Sequence, residues 1–180
     1  KPRILYFATE DWFFWSHRKD LALEAKNAGF EVYVLTRVND HKELIESAGF
    51  NLININLSRS SVNLFSEIHV IIQLVRSFNL VSPDIVHNIS LKPAIYGTLV
   101  SRLCRVNFVF NSISGLGSVF SNNAVFYRLC KYVFELLFGI IINGKKNINF
   151  IFQNYHDERV FMEHGWADSG NAQVIRGSGV

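Results

Sequence analysis

Charged side chains are scarce in this chain of 180 residues: they make up 18% of it, whereas apolar residues make up 49%. Intrinsically disordered chains combine low hydrophobicity with high charge, so this composition excludes that class. Proline and glycine are also few, at 3 and 11 residues, which excludes collagen-like and linker-like chains. The net charge of +3 is too small to indicate a nucleic-acid-binding protein by itself. Length and composition predict one folded domain with a substantial core.

Metal-binding and redox motifs are absent as well. The two cysteines, Cys104 and Cys130, cannot form a disulfide scaffold and do not form a CxxC motif, which fits a reducing compartment. The six histidines are scattered, without an HExxH motif or a carboxylate cluster, so no metal site is predicted. A Walker A motif and a GxSxG elbow are missing too, so no complete catalytic set is visible.

The chain starts at Lys1, and its single methionine is Met162. Its opening residues lead into a strand-like run and not into the apolar core of a signal peptide. The longest uncharged stretch, 106–127, is long enough to span a membrane, but its many Asn, Ser and Gly residues argue against a spanning helix. Since the first residue is not Met and the last four read Gly-Ser-Gly-Val, we expect an excerpt of a longer protein.

Short apolar runs alternate with helical patterns along the whole chain. This alternation is typical of a mainly parallel sheet with helices on both faces, so we predict an α/β, doubly wound, Rossmann-like domain. The predicted strands are 4–8, 32–35, 52–55, 85–87, 107–113, 148–152 and 174–175. The predicted helices are 16–28, with Ser16 as its N-cap, and 41–48, 63–78, 92–103, 126–142 and 156–164.

Ligands of such sheets bind at the carboxyl ends of the strands, near the switch in strand order. This rule selects five segments: 9–17, 88–92, 112–118, 153–156 and 176–180. The first segment has no glycine, which argues against the GxGxxG loop of an NAD or FAD domain. Trp12 and Trp15 in it favour a sugar or a membrane interface, whereas Phe13 and Phe14 are equally well interpreted as core. The polar residues at the predicted helix start, where an anion can bind, are Ser16, His17 and Arg18.

Two further segments offer binding groups. Lys92 starts a helix, where a cation opposes the helix dipole; this favours a phosphate-binding role, with a solvated lysine as the alternative. His87 is either a site residue or a hydrogen-bonded core histidine. The turn at 112–118 alternates Gly and Ser, so it is either a nest of N–H groups for an anion or sugar, or only a tight connection.

Five segments stand in order along essentially the whole chain: FWSHR at 14–18, SLKPAIYG at 90–97, ISGLG at 113–117, FQN at 152–154 with Asp157, and VIRGSGV at 174–180. Together they resemble the N-terminal domain of a family 4 glycosyltransferase of the GT-B class. The nearest group is the bacterial polysaccharide and lipid-linked oligosaccharide transferases.

The resemblance implies two Rossmann-like domains with the active site between them. Residues 1–175 would bind the acceptor, and 176–180 would begin the linker to a C-terminal donor domain that is absent here, so the chain alone is expected to be inactive. The implied reaction moves a hexosyl-type sugar from a nucleotide sugar to a glycan or polyprenyl-diphosphate-linked acceptor, in cell-surface polysaccharide synthesis. Retention of anomeric configuration is implied, with no metal or other cofactor.

The resemblance also implies roles for individual residues. The donor sugar or diphosphate would approach the backbone of Ser114, Gly115 and Gly117. Family members often carry a histidine after the fifth strand, where this chain has Ser112 and Ser114, so the catalytic residue stays unassigned. The residues expected to hold the acceptor and its phosphate are Trp15, Ser16, His17, Arg18, Ser90 and Lys92.

A lipid-linked acceptor implies a cytoplasmic location at the inner face of the membrane. With a net charge of only +3, no nucleic-acid partner is expected. The predicted helix 126–142 is interpreted either as a core helix with a basic edge or as a helix resting on anionic lipid. Its basic residues, in or just after the helix, are Arg128, Lys131, Lys145 and Lys146.

Two other classes stay open. One is another GT-B enzyme, such as a nucleotide-sugar epimerase, which uses a nucleotide sugar without a lipid acceptor. The other is a stand-alone Rossmann-like binding module.

Overall fold

The computed structural model of the chain describes residues 1–57, 64–116, 138–139, 141–142 and 147–177. Some of the predictions above lie outside these residues. They concern Gly117 of the glycine-rich turn, positions 178–180 of the predicted linker, and the basic residues Arg128, Lys131, Lys145 and Lys146.

Seven strands of the described chain form a single parallel sheet. The strands are β1 (Arg3–Glu10), β2 (Glu31–Arg37), β3 (Asn51–Asn54), β4 (Ile85–Ile89), β5 (Phe108–Ile113), β6 (Ile148–Phe152) and β7 (Ala172–Val174). The helices between them are α1 (Asp11–Asn27), α2 (Lys42–Ser47), α3 (Leu64–Val81), α4 (Leu91–Leu103) and α5 (Tyr155–Glu163). Residues 138–139 and 141–142 are also helical.

The strand order is β3-β2-β1-β4-β5-β6-β7. Strands β2 and β3 are thus added on one side of β1, and β4 to β7 on the other. The switch in strand order lies between β1 and β4, where Tyr6 pairs with His87 and Phe7 with Asn88. Successive side chains of a strand point to opposite faces of a sheet. Tyr6 accordingly packs with Phe14 of α1, whereas Phe7 packs in a second core with Phe78 of α3. This arrangement confirms the predicted doubly wound fold.

Most predicted elements differ from the observed ones by only a few residues at each end, and β6 matches its prediction. Helix α1 also ends where it was predicted to, before Gly29, which adopts a φ of +93°. Among the described helices, none is both long enough and apolar enough to cross a membrane.

The start of α1 is the largest error of the sequence prediction. The helix begins at Asp11 and not at Ser16, and Ser16 is no N-cap: its hydroxyl donates to the carbonyl of Trp12, one helical turn earlier, at 2.8 Å. The reason is tertiary, since the Asp11 carboxylate accepts the backbone N–H groups of Asn39 and His41. The aromatic segment predicted as a loop is therefore the first turns of a helix.

Candidate functional site

A cavity of about 250 Å³ opens at the carboxyl ends of β4, β5 and β6, beside α1. Parallel sheets bind ligands at this edge, next to the switch in strand order. Its lining comes from α1, from the three strands and from the segment after β7. The lining residues are His17, Arg18, Asp20, Leu21, His87, Ser112, Ile151, Gln153, Ile175 and Gly177.

The imidazole of His87 forms part of this wall, although only 5% of the residue is exposed. Its Nε2 lies 2.7 Å from the hydroxyl of Ser112 on the neighbouring strand, and its ring packs 5.4 Å from that of Tyr6. Burial, together with the charge of Arg18, lowers the pKa of His87 from 6.5 to about 3. His87 is thus neutral at physiological pH, where it orients a hydroxyl and is too weak a base to take a proton.

Arg18 supplies the positive charge of the cavity. Its Nη1 donates to the carbonyl of His17 at 2.7 Å, which holds the guanidinium near the helix. Partial burial lowers the pKa of Arg18, but an arginine stays charged at any physiological pH. A fixed cation beside the neutral pair of His87 and Ser112 is suited to a ligand with both a phosphate and hydroxyl groups.

The structure brings together two of the predicted acceptor residues, His17 and Arg18, and places two others elsewhere on α1. Trp15 packs partly buried against the core, with the ammonium of Lys19 5.4 Å from its ring centre. Ser16 is exposed and lies 2.6 Å from Nδ1 of His17, measured from its hydroxyl oxygen. Neither Trp15 nor Ser16 lines the cavity.

Lys92 also lies outside the cavity lining. Its Nζ is 2.8 Å from a carboxylate oxygen of Glu67 on α3, and the hydroxyl of Tyr96 donates to the other oxygen at 2.6 Å. A cation at a helix start opposes the helix dipole, and here Glu67 provides the compensating charge. The phosphate-binding role of Lys92 stays a prediction, and the contact with Glu67 offers a structural reason for a lysine at this position.

Ser90, immediately before α4, has a φ of +82°, a left-handed conformation that is unfavourable for a residue with a side chain. Its N–H donates to the carbonyl of Ser112 at 2.9 Å, and its hydroxyl lies 3.3 Å from that of Thr9. These contacts tie the carboxyl ends of β1, β4 and β5 together. Ser90 therefore supports the edge at which the cavity opens.

The backbone after β5 turns away through Ser114 and Gly115. Gly115 has a φ of +136°, which side-chain-bearing residues rarely adopt, and a Cβ there would find nothing within 4 Å. Open space at a left-handed glycine is what a close approach of ligand to backbone requires. The donor-proximal role of Ser114, Gly115 and Gly117 stays a prediction.

Two groups of polar hydrogen bonds near the carboxyl ends of the strands have a structural role. The side chain of Asn154 caps α5, accepting the N–H of Asp157 at 2.8 Å and donating to its carboxylate at 2.9 Å. On the α4 side of the sheet, the Oδ1 of Asn111 accepts hydrogen bonds from Asn88 at 2.9 Å and from Thr98 at 3.1 Å. These side chains thus serve the packing of α4 and α5 against the sheet.

Sequence reasoning missed the residues that follow β2. Arg37, Asn39, Asp40 and His41 line a second and larger cleft with residues 10–12. A signal was present, because the carboxyl end of the second strand must lie at the same edge as the other strand ends. Among the described residues, no group of three or more His, Cys, Asp or Glu side chains is placed to hold a metal ion.

Comparison with known proteins gives a consistent result. A family model described as "Glycosyl transferase 4-like" matches residues 3–144. A curated relative from Campylobacter jejuni is 22% identical over 150 residues, covering 83% of this chain and 39% of the relative. It is named N,N'-diacetylbacillosaminyl-diphospho-undecaprenol alpha-1,3-N-acetylgalactosaminyltransferase.

Solved structures with the same fold belong to more than one kind of enzyme. A glycosyltransferase from Rickettsia africae matches with a TM-score of 0.64 at 14% identity, over 98% of this chain and 43% of the other. A UDP-GlcNAc 2-epimerase from Neisseria meningitidis, bound to UDP-GlcNAc, matches with a TM-score of 0.64 at 11% identity, over 96% of this chain and 46% of the other. The chain thus spans less than half the length of each of these relatives.

Proposed function

The chain belongs to the glycosyl transferase 4-like family, and on this premise we propose that it supplies the acceptor-binding half of a two-domain glycosyltransferase. The family match over residues 3–144 carries the proposal. The cavity beside Arg18, His87 and Ser112 supports it, because it opens at the edge of the sheet where a second domain would complete a cleft. On this proposal residues 1–175 form the domain, and 176–180 begin the linker.

The substrates follow from the relatives. The Neisseria epimerase holds a nucleotide sugar, and the name of the Campylobacter relative describes transfer to a diphospho-undecaprenol-linked sugar. We propose a nucleotide-sugar donor and a glycan or polyprenyl-diphosphate-linked acceptor, in cell-surface polysaccharide synthesis. Such an acceptor would bring the protein to the inner face of the cytoplasmic membrane.

In the proposed reaction, the bond from C1 of the donor sugar to the nucleotide diphosphate breaks, and a bond from C1 to an acceptor hydroxyl oxygen forms. The acceptor hydroxyl gives its proton to the departing nucleotide diphosphate, which leaves with the bonding electron pair. We propose retention of configuration and no metal, so that positioning and electrostatics carry the catalysis. Arg18 would face a phosphate, whereas Ser112, oriented by His87, would bind a sugar oxygen.

The epimerases that share the fold favour a second candidate, a nucleotide-sugar epimerase. At 11% identity the likeness shows the fold alone, whereas the family model matches a glycosyl transferase description. Transfer to an acceptor is therefore the first proposal.

A product assay separates these functions. The full-length protein is incubated with labelled UDP-sugars, with and without a polyprenyl-diphosphate-linked saccharide, and the products are separated by chromatography. We expect labelled lipid product from the full-length protein and none from residues 1–180 alone. An epimerised nucleotide sugar formed without acceptor would favour the second candidate, and transfer by residues 1–180 alone would contradict the half-site proposal.

A further inference from the structure

A second cleft, of about 510 Å³, lies at the carboxyl ends of β1 and β2. It shares no lining residue with the cavity described above, and neither the family match nor the proposed mechanism assigns it a role. Its wall contains Trp12 and the polar residues Glu10, Asp11, Arg37, Asn39, Asp40 and His41.

Asp11 holds the two walls of this cleft together. Its buried carboxylate accepts the backbone N–H groups of Trp12 at 2.7 Å, Asn39 at 2.6 Å and His41 at 3.0 Å. Burial alone would raise the pKa of Asp11, but these hydrogen bonds outweigh it and lower the pKa below its usual 3.8. These hydrogen bonds join the first turn of α1 to the segment after β2.

Trp12 offers an apolar surface in an otherwise polar cleft. It is 43% exposed, although tryptophan is among the largest apolar side chains and is usually well buried. Its ring is supported edge-on by Phe13, with the ring centres 5.5 Å apart. An exposed indole held in place in this way is suited to stacking on the C–H face of a sugar ring.

The charged groups that line the cleft leave no excess of positive charge. Arg37 is held by Glu10 through two contacts, Nη2 to Oε1 at 2.7 Å and Nε to Oε2 at 3.1 Å. Asn39 donates to the same carboxylate at 3.0 Å. Asp11 and Asp40 add two further carboxylates to the lining, so a phosphate would meet net negative charge here. Planar carboxylate, amide and guanidinium groups are instead suited to hydrogen bonds with neighbouring hydroxyls.

We propose that this cleft binds a neutral pyranose unit of the acceptor glycan, with Trp12 as the stacking surface. The source of the sugar rests on the proposed function, whereas the recognition of a neutral saccharide rests on the cleft. Trp12 and Arg18 are six residues apart on α1, which is about 9 Å along the helix axis. Because the two residues also lie about 120° apart around the helix, a glycan bound at both places would have to pass around α1 from the cavity to the cleft.

The three tryptophans allow a direct test by NMR. Chain labelled with ¹⁵N is titrated with the methyl glycosides of glucose, N-acetylglucosamine and N-acetylgalactosamine. We expect the indole N–H signal of Trp12 and the amide signals of residues 37–41 to shift saturably with at least one glycoside. The signal of Trp166, which is buried away from the cleft, is expected to stay in place.

Variants make the result specific. Trp12→Ala should abolish the saturable shifts at 37–41. Trp12→Tyr keeps an aromatic ring, so its Kd for the glycoside should stay within roughly tenfold of that of the unchanged chain. Leu44→Ala, at an exposed position on α2, should bind the glycoside like the unchanged chain. The unmoved Trp166 signal reports that each variant is folded. Saturable shifts that persist in Trp12→Ala, or no saturable shift with any of the three glycosides, would overturn the saccharide site.

Kinetics separate this proposal from the proposed function. In the full-length enzyme, Trp12→Ala should raise the KM for a glycan acceptor by roughly twofold to tenfold and leave the KM for the donor unchanged. If Trp12→Ala transfers sugar with an unchanged acceptor KM, the proposed subsite is wrong and the proposed transferase function is retained. If glycosides bind at Trp12 but the full-length protein transfers no sugar, the proposed transferase function is wrong and the saccharide site is retained.

Discussion

Nε2 of His87 lies 2.7 Å from Oγ of Ser112, across the neighbouring strands β4 and β5. The bond is buried, at the wall of the cavity that α1 lines with Arg18. Because burial and Arg18 keep the imidazole neutral, the pair presents a hydrogen-bonding hydroxyl and not an acid or base. The polar centre of the site is thus suited to orienting a ligand, which agrees with the proposed reaction.

The neutral His87 makes stability depend on pH. Its pKa is 6.5 in the unfolded chain and about 3 in the fold, so below pH 6.5 the unfolded state takes up a proton that the native state excludes. We expect the free energy of unfolding to fall as the pH drops from 6.5 toward 3, by up to about 1.4 kcal/mol per pH unit from this residue. Urea unfolding at a series of pH values measures the slope.

Two variants isolate the contribution of His87. His87→Gln should have a shallower slope than the unchanged chain, whereas His156→Gln, at an exposed position on α5, should keep the full slope. Equal slopes in the unchanged chain and in His87→Gln would show that the imidazole is not held neutral.

Asp11 should stabilise the fold through its three backbone hydrogen bonds. Asp11→Asn removes acceptor capacity from a buried site and should lower the free energy of unfolding by about 1–3 kcal/mol at neutral pH. Asp40→Asn, on the exposed side of the same cleft, is the matched control and should change it little. Because the pKa of Asp11 is lowered, its contribution is present above pH 3.8 and is lost as the pH falls further. A difference between Asp11→Asn and the unchanged chain that persists in strong acid would argue against the carboxylate as its source.

Gly97 is packed too closely for any side chain. A Cβ at this position would lie 1.8 Å from the amide oxygen of Asn88, inside the buried network of Asn88, Asn111 and Thr98. Gly97→Ala should therefore destabilise the domain by about 1–3 kcal/mol or more. At Gly139 the nearest atom to a new Cβ is Nε1 of Trp166 at 3.7 Å, an ordinary contact, so Gly139→Ala should be neutral or slightly stabilising. Thermal unfolding of both variants tests this, and Gly97→Ala is expected to have the lower melting temperature. Equal melting temperatures would contradict the close packing at Gly97.

Arg18 and Lys92 should differ in their effect on acceptor use by the full-length enzyme. Arg18 lines the cavity, so Arg18→Ala should raise the acceptor KM by roughly tenfold to a hundredfold, through loss of a charged hydrogen bond. Lys92 is paired with Glu67, so Lys92→Ala should act more weakly on the acceptor KM. Steady-state kinetics with a lipid-linked acceptor test both.

The variant Glu67→Gln separates a structural from a binding role of Lys92. If Lys92 serves only to join α4 to α3, then Lys92→Ala and Glu67→Gln should lower the free energy of unfolding by similar amounts. The two variants should then also have the same effect on the acceptor KM. A rise in the acceptor KM that occurs with Lys92→Ala alone, as large as that of Arg18→Ala, would restore the phosphate-binding role that the sequence predicts for this lysine.

The architecture follows from the sequence alone because its signals are local. Several of the parallel strands read as short, mainly apolar runs, as at Ile148–Phe152, and a glycine marks the end of α1 at Gly29. The alternation of strands and helices then leaves few possible topologies. The topology in turn identifies the edge of the sheet at which ligands bind, which is formed by the carboxyl ends of the strands. The same rule predicts His17 and Arg18, which line the cavity, and Trp15, Ser16 and Lys92, which do not, and the binding roles of all five stay predictions.

The tertiary structure decided the partners of the polar side chains. Ser112 is 25 residues from His87, Glu67 is 25 residues from Lys92, and Asn39 is 28 residues from Asp11. These pairs meet only because the strands and helices that carry them lie side by side, and the periodicity of a single segment contains no information about its neighbour. The true start of α1, the neutral state of His87 and the cleft at Trp12 each depend on such a contact. The sequence by itself determined the sheet and its ligand edge, and the packing of distant segments decided which side chains act together there.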